Sequence, residues 1–341
     1  MPLPGNTPLG AFTNLTVAAI NAALAQAGLA PTTGNVFFLD PVNGLDTNDG
    51  QTPNAVLLSG GHGPVQSLAA GYALLRSGYN DTLVLIGNGQ ASGSARITTF
   101  TWSKNAAHLV GICAPSAVSQ RARIAFPTTS GLTVTPAFFT LSGNGCLFSN
   151  LSFFVGAGSG QTGIAASICV TVSGQRNAFL NCDFEGMGDT TASVDAGSRN
   201  LLLSAGENYF NHCNIGLDTV QRTAANASVE ITSNAARNYF EDCTFLFNSS
   251  DGLQYGILAA AASAMDRWVL LKGCNAINCV NSGSTAIAAF AHLVASCGGL
   301  LIFDTNSGLF GFTAIGDATT KGQTYVSGGT ATNGVKGIVA T

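Results

Sequence analysis

Carboxylates are the residues of this chain whose type and spacing could do chemistry. Two carboxyl groups about 5 to 9.5 Å apart across a groove can cleave a glycosidic bond, one protonating the leaving oxygen and the other serving as base or nucleophile. Asp183, Glu185 and Asp189 cluster in the sequence, and Glu207, Asp218 and Asp242 follow them. A second acidic group, Asp40, Asp46 and Asp49, has the oxygen ligands that calcium takes. It is interleaved with Asn43, Gly44, Asn48 and Gly50, so tight turns are the preferred account of it. The histidines (His62, His108, His212 and His292) show no pairing. The cysteines show no zinc spacing, since no CxxC occurs and Cys274 and Cys279 lie five apart. No nucleophile elbow, phosphate loop or dinucleotide fingerprint stands in a strand-to-helix context.

What positions these residues is a repeat. An anchor column reads Leu151, Cys182, Cys213, Cys243, Cys274, Thr305, in steps of 31, 31, 30, 31 and 31. Three residues before each anchor stand Phe148, Phe179, Phe210, Phe240, Leu271 and Ile302, and two after it Phe153, Phe184, Ile215, Phe245, Ala276 and Ser307. The residue just before the anchor is Asn150, Asn181, His212, Asp242, Gly273 or Asp304, types that tolerate a left-handed backbone. A fixed period with a corner residue and alternating apolar flanks predicts a coil stacked on itself. A further apolar strand recurs some ten residues upstream, as in Cys169–Val172, Leu201–Leu203 and Val229–Ile231, which makes three short strands per coil.

The columns decide which chemistry survives. The cysteine column has Leu151 at one end, so it reads as interior packing of free thiols rather than disulfides. Six residues before the anchor stand Gly145, Arg176, Glu207, Arg237, Trp268 and Gly299; Arg176, Glu207 and Arg237 predict an ion ladder on neighbouring rungs. Asp183 falls in the polar row Ser152, Asp183, Asn214, Thr244, Asn275, Asn306, opposite to Cys182 and Phe184, and is expected to point outward. Asp242 and His212 belong to the corner column. No acid pair recurs on adjacent rungs of one face, and the phenylalanines sit in interior columns rather than along a sugar groove. The expectation is no catalytic, cofactor-binding or metal-binding residue, and no cofactor.

Composition narrows the classes further. Of 341 residues 9% are charged and 42 are Gly, with a formal net charge of −4, so Ser, Thr, Asn and Gly must cover the surface. Without clustered Lys and Arg there is no electrostatic case for nucleic acid. No stretch approaches the roughly 18 apolar residues of a membrane helix, and the N-terminus lacks the pattern of a secretory signal. Folding in a cytosol is therefore expected, and the odd cysteine count suits reduced thiols there.

The chain divides into an arm over 1–35, a lead-in and cap region over 36–107, a body over 108–310 and a Gly/Thr-rich tail over 311–341 that could form a last coil. In the arm, Val17, Ile20, Leu24 and Leu29 lie on one helical face, with Asn14 as cap and Gly28 and Pro31 as stop. The lead-in runs strand (Val36–Leu39), Asn/Asp/Gly turn (Asp40–Gly50), short helix (Val65–Leu75), strand (Thr82–Ile86) and glycine. This order resembles the opening segment of right-handed parallel β-helix proteins, the architecture of pectate lyases and of several phage tailspike and virion proteins. The resemblance covers 36–89 as a motif and 108–310 as a repeat. It implies an all-β, right-handed parallel β-helix of about 31 residues per coil, its open end capped by the short helix.

The resemblance also frames function. It implies a virion structural protein of a bacteriophage, expected to decorate or cement a capsid by contacts that bridge subunits. The expected partners are the major capsid protein or other virion proteins and further copies of this chain, as in a homotrimer, without nucleic acid or membrane. The location expected is the virion, assembled in the host bacterial cytoplasm. The rival is a tailspike-like enzyme that degrades polysaccharide, with Gly186–Asn200 walling its groove, or a fibre that binds glycan without turnover. The several aspartates and basic catalyst of the pectate-lyase pattern are not present.

Overall fold

The computed structural model describes residues 34–54, 61–114, 120–133, 137–156, 161–279, 285–304, 306–317, 324–326 and 338–339. The expected helix of the arm, Thr305 and most of the tail lie outside the described residues. Alternating apolar positions and short turns build three sheets with 11, 7 and 8 strands, here called A, C and B. Along the chain each strand of sheet C is followed by one of sheet A and then one of sheet B, so the coil returns to its start after three strands. Among the described residues, pairing between coils is parallel, and only Thr324–Val326 with Ile338–Val339 is antiparallel. The chain is thus an all-β parallel β-solenoid, as the period predicts. No helix among the described residues is long and apolar enough to cross a membrane.

The register follows the columns. Phe148, Phe179, Phe210 and Phe240 pair rung on rung in sheet A, and Phe153, Phe184, Ile215 and Phe245 do so in sheet B. Their rings stack along the axis, Phe179 on Phe210 at 4.9 Å and 1° and Phe210 on Phe240 at 4.6 Å and 10°. The turn from sheet A to sheet B is made by a left-handed residue, with φ of 55° at Asn150, 51° at Asn181, 52° at His212, 52° at Asp242 and 63° at Gly273. The last rung departs from the expected spacing. Leu271 pairs with Phe303, and Ala276 with Leu309. Ile302 and Ser307 are therefore displaced from the interior columns, and Asp304 is not among the left-handed residues. Extra residues in this coil shift its register, which a fixed period does not reveal.

The first rung is closed off. Val36–Leu39 ends sheet A, and its free edge is taken by neighbouring chain: the Phe38 amide donates to Gly50 O at 2.7 Å, and the Val65 amide to Phe38 O at 2.9 Å. The helix Leu68–Leu74 begins at Ser67, whose side chain accepts from the Ala70 amide. Leu68 and Leu75 are buried against Leu83 and Leu85 in the same apolar core. Occupying the edge in this way blocks strand addition from another chain.

Candidate functional site

Outside the coil, on the face of sheet B, one group of side chains has the makings of an acid–base site. Register places Arg123, Ser152, Asp183 and Asn214 in one column, and Phe154 and Glu185 in the next. Asp183 and Glu185 share a strand, Asp183–Glu185, and a face. The side chain of Asp183 points away from the core, as expected, but it is not exposed: Asp183 and Glu185 are each 2% accessible. The Gln120 amide donates to Asp183 Oδ2 at 3.3 Å.

The two carboxyls are held differently. Glu185 Oε2 accepts from Ser152 Oγ at 2.8 Å and faces Arg123 Nη2 at 3.4 Å. Arg123 in turn lies over the Phe154 ring, 4.6 Å from its centroid. Burial pushes the Asp183 carboxyl up to about 7; the Asn214 amide opposes this and the charge of Glu185 adds to it. A carboxyl pushed up by burial beside a second carboxyl on the same face is the kind of arrangement from which acid–base pairs are built. The two acids, near neighbours in the sequence, stand two residues apart on one strand rather than on adjacent rungs of one column. Both carboxyls are buried, so neither is open to a polymer as the chain is folded.

The ion ladder forms on the turn into sheet A. Glu207 pairs with Arg176 at 2.7 Å and with Arg237. Partial burial raises the Glu207 carboxyl, and the two guanidiniums more than reverse this, leaving it below the ordinary range. All three residues have positive φ, at 58°, 61° and 56°, so this column is a second corner. One residue further on runs a feature that polarity disguised. Asn177 Oδ1 accepts from the Cys146 amide at 2.8 Å, Asn208 Oδ1 from the Asn177 amide at 3.0 Å, and Asn238 Oδ1 from the Asn208 amide at 3.0 Å. The signal was present as three asparagines in register, each five residues before an anchor.

The other candidates resolve into structure. Asp40 accepts from the amides of Val42 and Asn43, Asp49 from that of Gln51, and Asp46 from Gln66 and Ser67 ahead of the short helix. Asp189 caps Thr190–Ser193. Among the described residues no group of His, Cys, Asp and Glu could hold a metal ion. His108 Nδ1 accepts from the Leu147 amide at 3.0 Å, so the ring is neutral with its proton on Nε2, and burial lowers its pKa. On the outer face of sheet C, Arg199 pairs with Glu230 at 2.7 Å, and His292 pairs with Asp317 beside Tyr255. Cys182, Cys213, Cys243 and Cys274 are free and buried. Burial pushes the thiols of Cys213 and Cys243 far up, as does the neighbouring thiol, together with burial, at Cys274.

No protein-family model and no curated protein matches the sequence. Solved structures match its fold. Pectate lyase Pel9A aligns with a TM-score of 0.53 and 15% identity, over 86% of this chain and 74% of that one. Pectin methylesterase PemA from Erwinia chrysanthemi aligns with a TM-score of 0.49 and 13% identity, over 82% and 79%. The ORF18 protein of Geobacillus virus E2 aligns with a TM-score of 0.42 and 12% identity, over 95% of this chain and 65% of that one. At such identities the likeness is one of fold, a parallel β-helix of the pectate lyase-like type, and activity has to be argued from this chain's own residues.

Proposed function

We propose that this chain is a structural protein of a bacteriophage virion, and within it a capsid decoration or cement protein. The observation that carries this reading is the fate of its outward carboxylates. Glu207, Glu230 and Glu241 are each engaged by a basic residue of a neighbouring rung, and Asp183 and Glu185 are buried. None of these five acids is left open to act on a polymer. A stiff coil of this kind works by burying surface against the major capsid protein, other virion proteins or further copies of itself. A homotrimer placed on the virion fits that role. Quantitative mass spectrometry of purified particles tests it: a copy number on the scale of the major capsid protein supports decoration. A few copies would assign the chain to a tail or vertex, and absence from particles would overturn a virion role. Deleting residues 1–35 should abolish binding to the capsid lattice.

One observation favours a second reading, a tailspike-like polysaccharide-degrading enzyme or a glycan-binding fibre. Asp183 and Glu185 lie two residues apart on one face of sheet B, and burial raises the Asp183 carboxyl as glycosidic cleavage requires of its acid. Release of fragments from host polysaccharide, lost in Asp183→Asn and in Glu185→Gln, would replace the structural reading with this one.

A further inference from the structure

The turn from sheet B to sheet C holds a cation with no counter-charge in contact. Arg222 lies between the strands Asn214–Gly216 and Ala227–Ile231 and is 2% exposed. Its Nε donates to Asn226 Oδ1 at 2.7 Å and its Nη1 to Ser228 Oγ at 3.2 Å, while the guanidinium lies 4.8 Å from the Phe247 ring centroid. The orientation of the Asn226 amide is fixed, because its Nδ2 donates to Ser193 O at 2.9 Å. Nη2 of Arg222 is buried without a hydrogen-bond partner. Among the described residues no carboxylate forms an ion pair with it; Asp251 acts only through space, and its Oδ1 accepts from the Leu253 amide and Gln254 Nε2.

A second orphan donor stands one rung away. The register Arg199↔Ala227 and Leu201↔Val229 sets Asn200 beside Ser228. Asn200 Oδ1 is used by the Gly186 amide at 2.8 Å, which leaves Nδ2, buried and without a partner, as a donor. Ser228 Oγ receives its bond from Arg222 and has a proton of its own to give. Arg222 and Ser228 at this corner, and Asn200 on the neighbouring rung, thus carry donors with protons to give, and the guanidinium brings a charge. Buried charges are paired, since an unpaired one loses its hydration without return. Water could satisfy the donors but not the charge. Burial pushes the Arg222 guanidinium down to about 9, with Arg199 adding to the effect, so it remains cationic at neutral pH.

We propose that a monatomic anion of the chloride type binds in this corner between Arg222 Nη2 and Asn200 Nδ2, closing the coil electrostatically. The full chain is crystallised in sodium bromide, and anomalous scattering at the bromine edge is mapped. A bromide peak in hydrogen-bond contact with Arg222 Nη2 is expected; a water, or a protein acceptor, at that position overturns the proposal. In solution, the thermal midpoint is measured as chloride replaces gluconate at fixed ionic strength. It should rise with chloride, as for any ligand of the native state, and the rise should vanish in Arg222→Met. An equal response in both proteins would also overturn it. Should Arg222→Met not fold, Asn200→Asp, which turns a donor into a repelling carboxylate, must weaken the response.

Discussion

Asn214 Nδ2 donates to Asp183 Oδ1 at 2.9 Å across one rung of sheet B. By itself that bond favours the ionised carboxylate. Burial, with the charge of Glu185, outweighs it and pushes the carboxyl up from 3.8 to about 7. One stacked pair thus records the competition between rung-to-rung hydrogen bonding and the loss of solvent.

Stability should carry the mark of this group. The folded state holds the proton of Asp183 more tightly than the unfolded chain does. Its contribution is therefore full below the unfolded pKa near 3.8 and is lost as pH rises towards the folded value of about 7. Across that window Asp183 contributes a downward slope of at most about 1.4 kcal/mol per pH unit. Asp183→Asn keeps the shape and removes the proton, so its urea midpoint should fall less between pH 4 and 7, taken as a range of about three units. Parallel pH dependence in both proteins would show that Asp183 is open to solvent.

Much of this fold was legible because a solenoid writes each interior column at a constant interval. The Phe and Cys columns, the left-handed corner and the Arg176–Glu207–Arg237 ladder all followed from that interval. Asn177, Asn208 and Asn238 obeyed it too, yet polarity made them look like surface. Their burial depends on a backbone that turns inward and leaves amide groups needing partners. Asp183 and Arg222 were illegible for a different reason. Alternation within a strand says which way a side chain points, not whether solvent reaches it.

The thiols offer a chemical test of the interior. Cys146, Cys169, Cys182, Cys213, Cys243, Cys274 and Cys297 are buried, whereas Cys113 and Cys279 are partly exposed. Burial raises Cys146 to about 11, and a thiolate is the reactive form. A disulfide reagent should therefore modify Cys113 and Cys279 in the native protein, and the others only after denaturant is added. Rapid native labelling of Cys213 or Cys243, located by peptide mapping, would contradict a packed column.

Phe210 sits mid-stack, with Phe179 and Phe240 above and below it and the edge of Phe184 at 5.9 Å. Phe210→Ala would open a cavity bounded by rings that the backbone ladder prevents from closing in. A loss of about 3–5 kcal/mol is expected, read from urea unfolding of the two proteins. Phe210→Leu should recover most of it, because a branched aliphatic chain fills the same space.

Glu207 and Asn208 are adjacent, and their unequal burial makes the sharpest comparison. Glu207 meets two arginines in solvent, where chain entropy and salt offset most of the attraction. Asn208 is 1% exposed; it accepts from the Asn177 amide at 3.0 Å and donates to Ala205 O at 3.2 Å. Asn208→Ala strands the buried Asn177 amide proton, at a cost of about 1–3 kcal/mol, while Ala205 O keeps the bond from Asn238 Nδ2 at 3.1 Å. Glu207→Gln keeps the backbone corner and loses only screened charge. Its urea midpoint should drop far less, and the drop should shrink as salt is raised, whereas that of Asn208→Ala should not respond to salt. If the two variants were equally destabilised, the outer ion ladder and not the inner amide ladder would be what holds this corner.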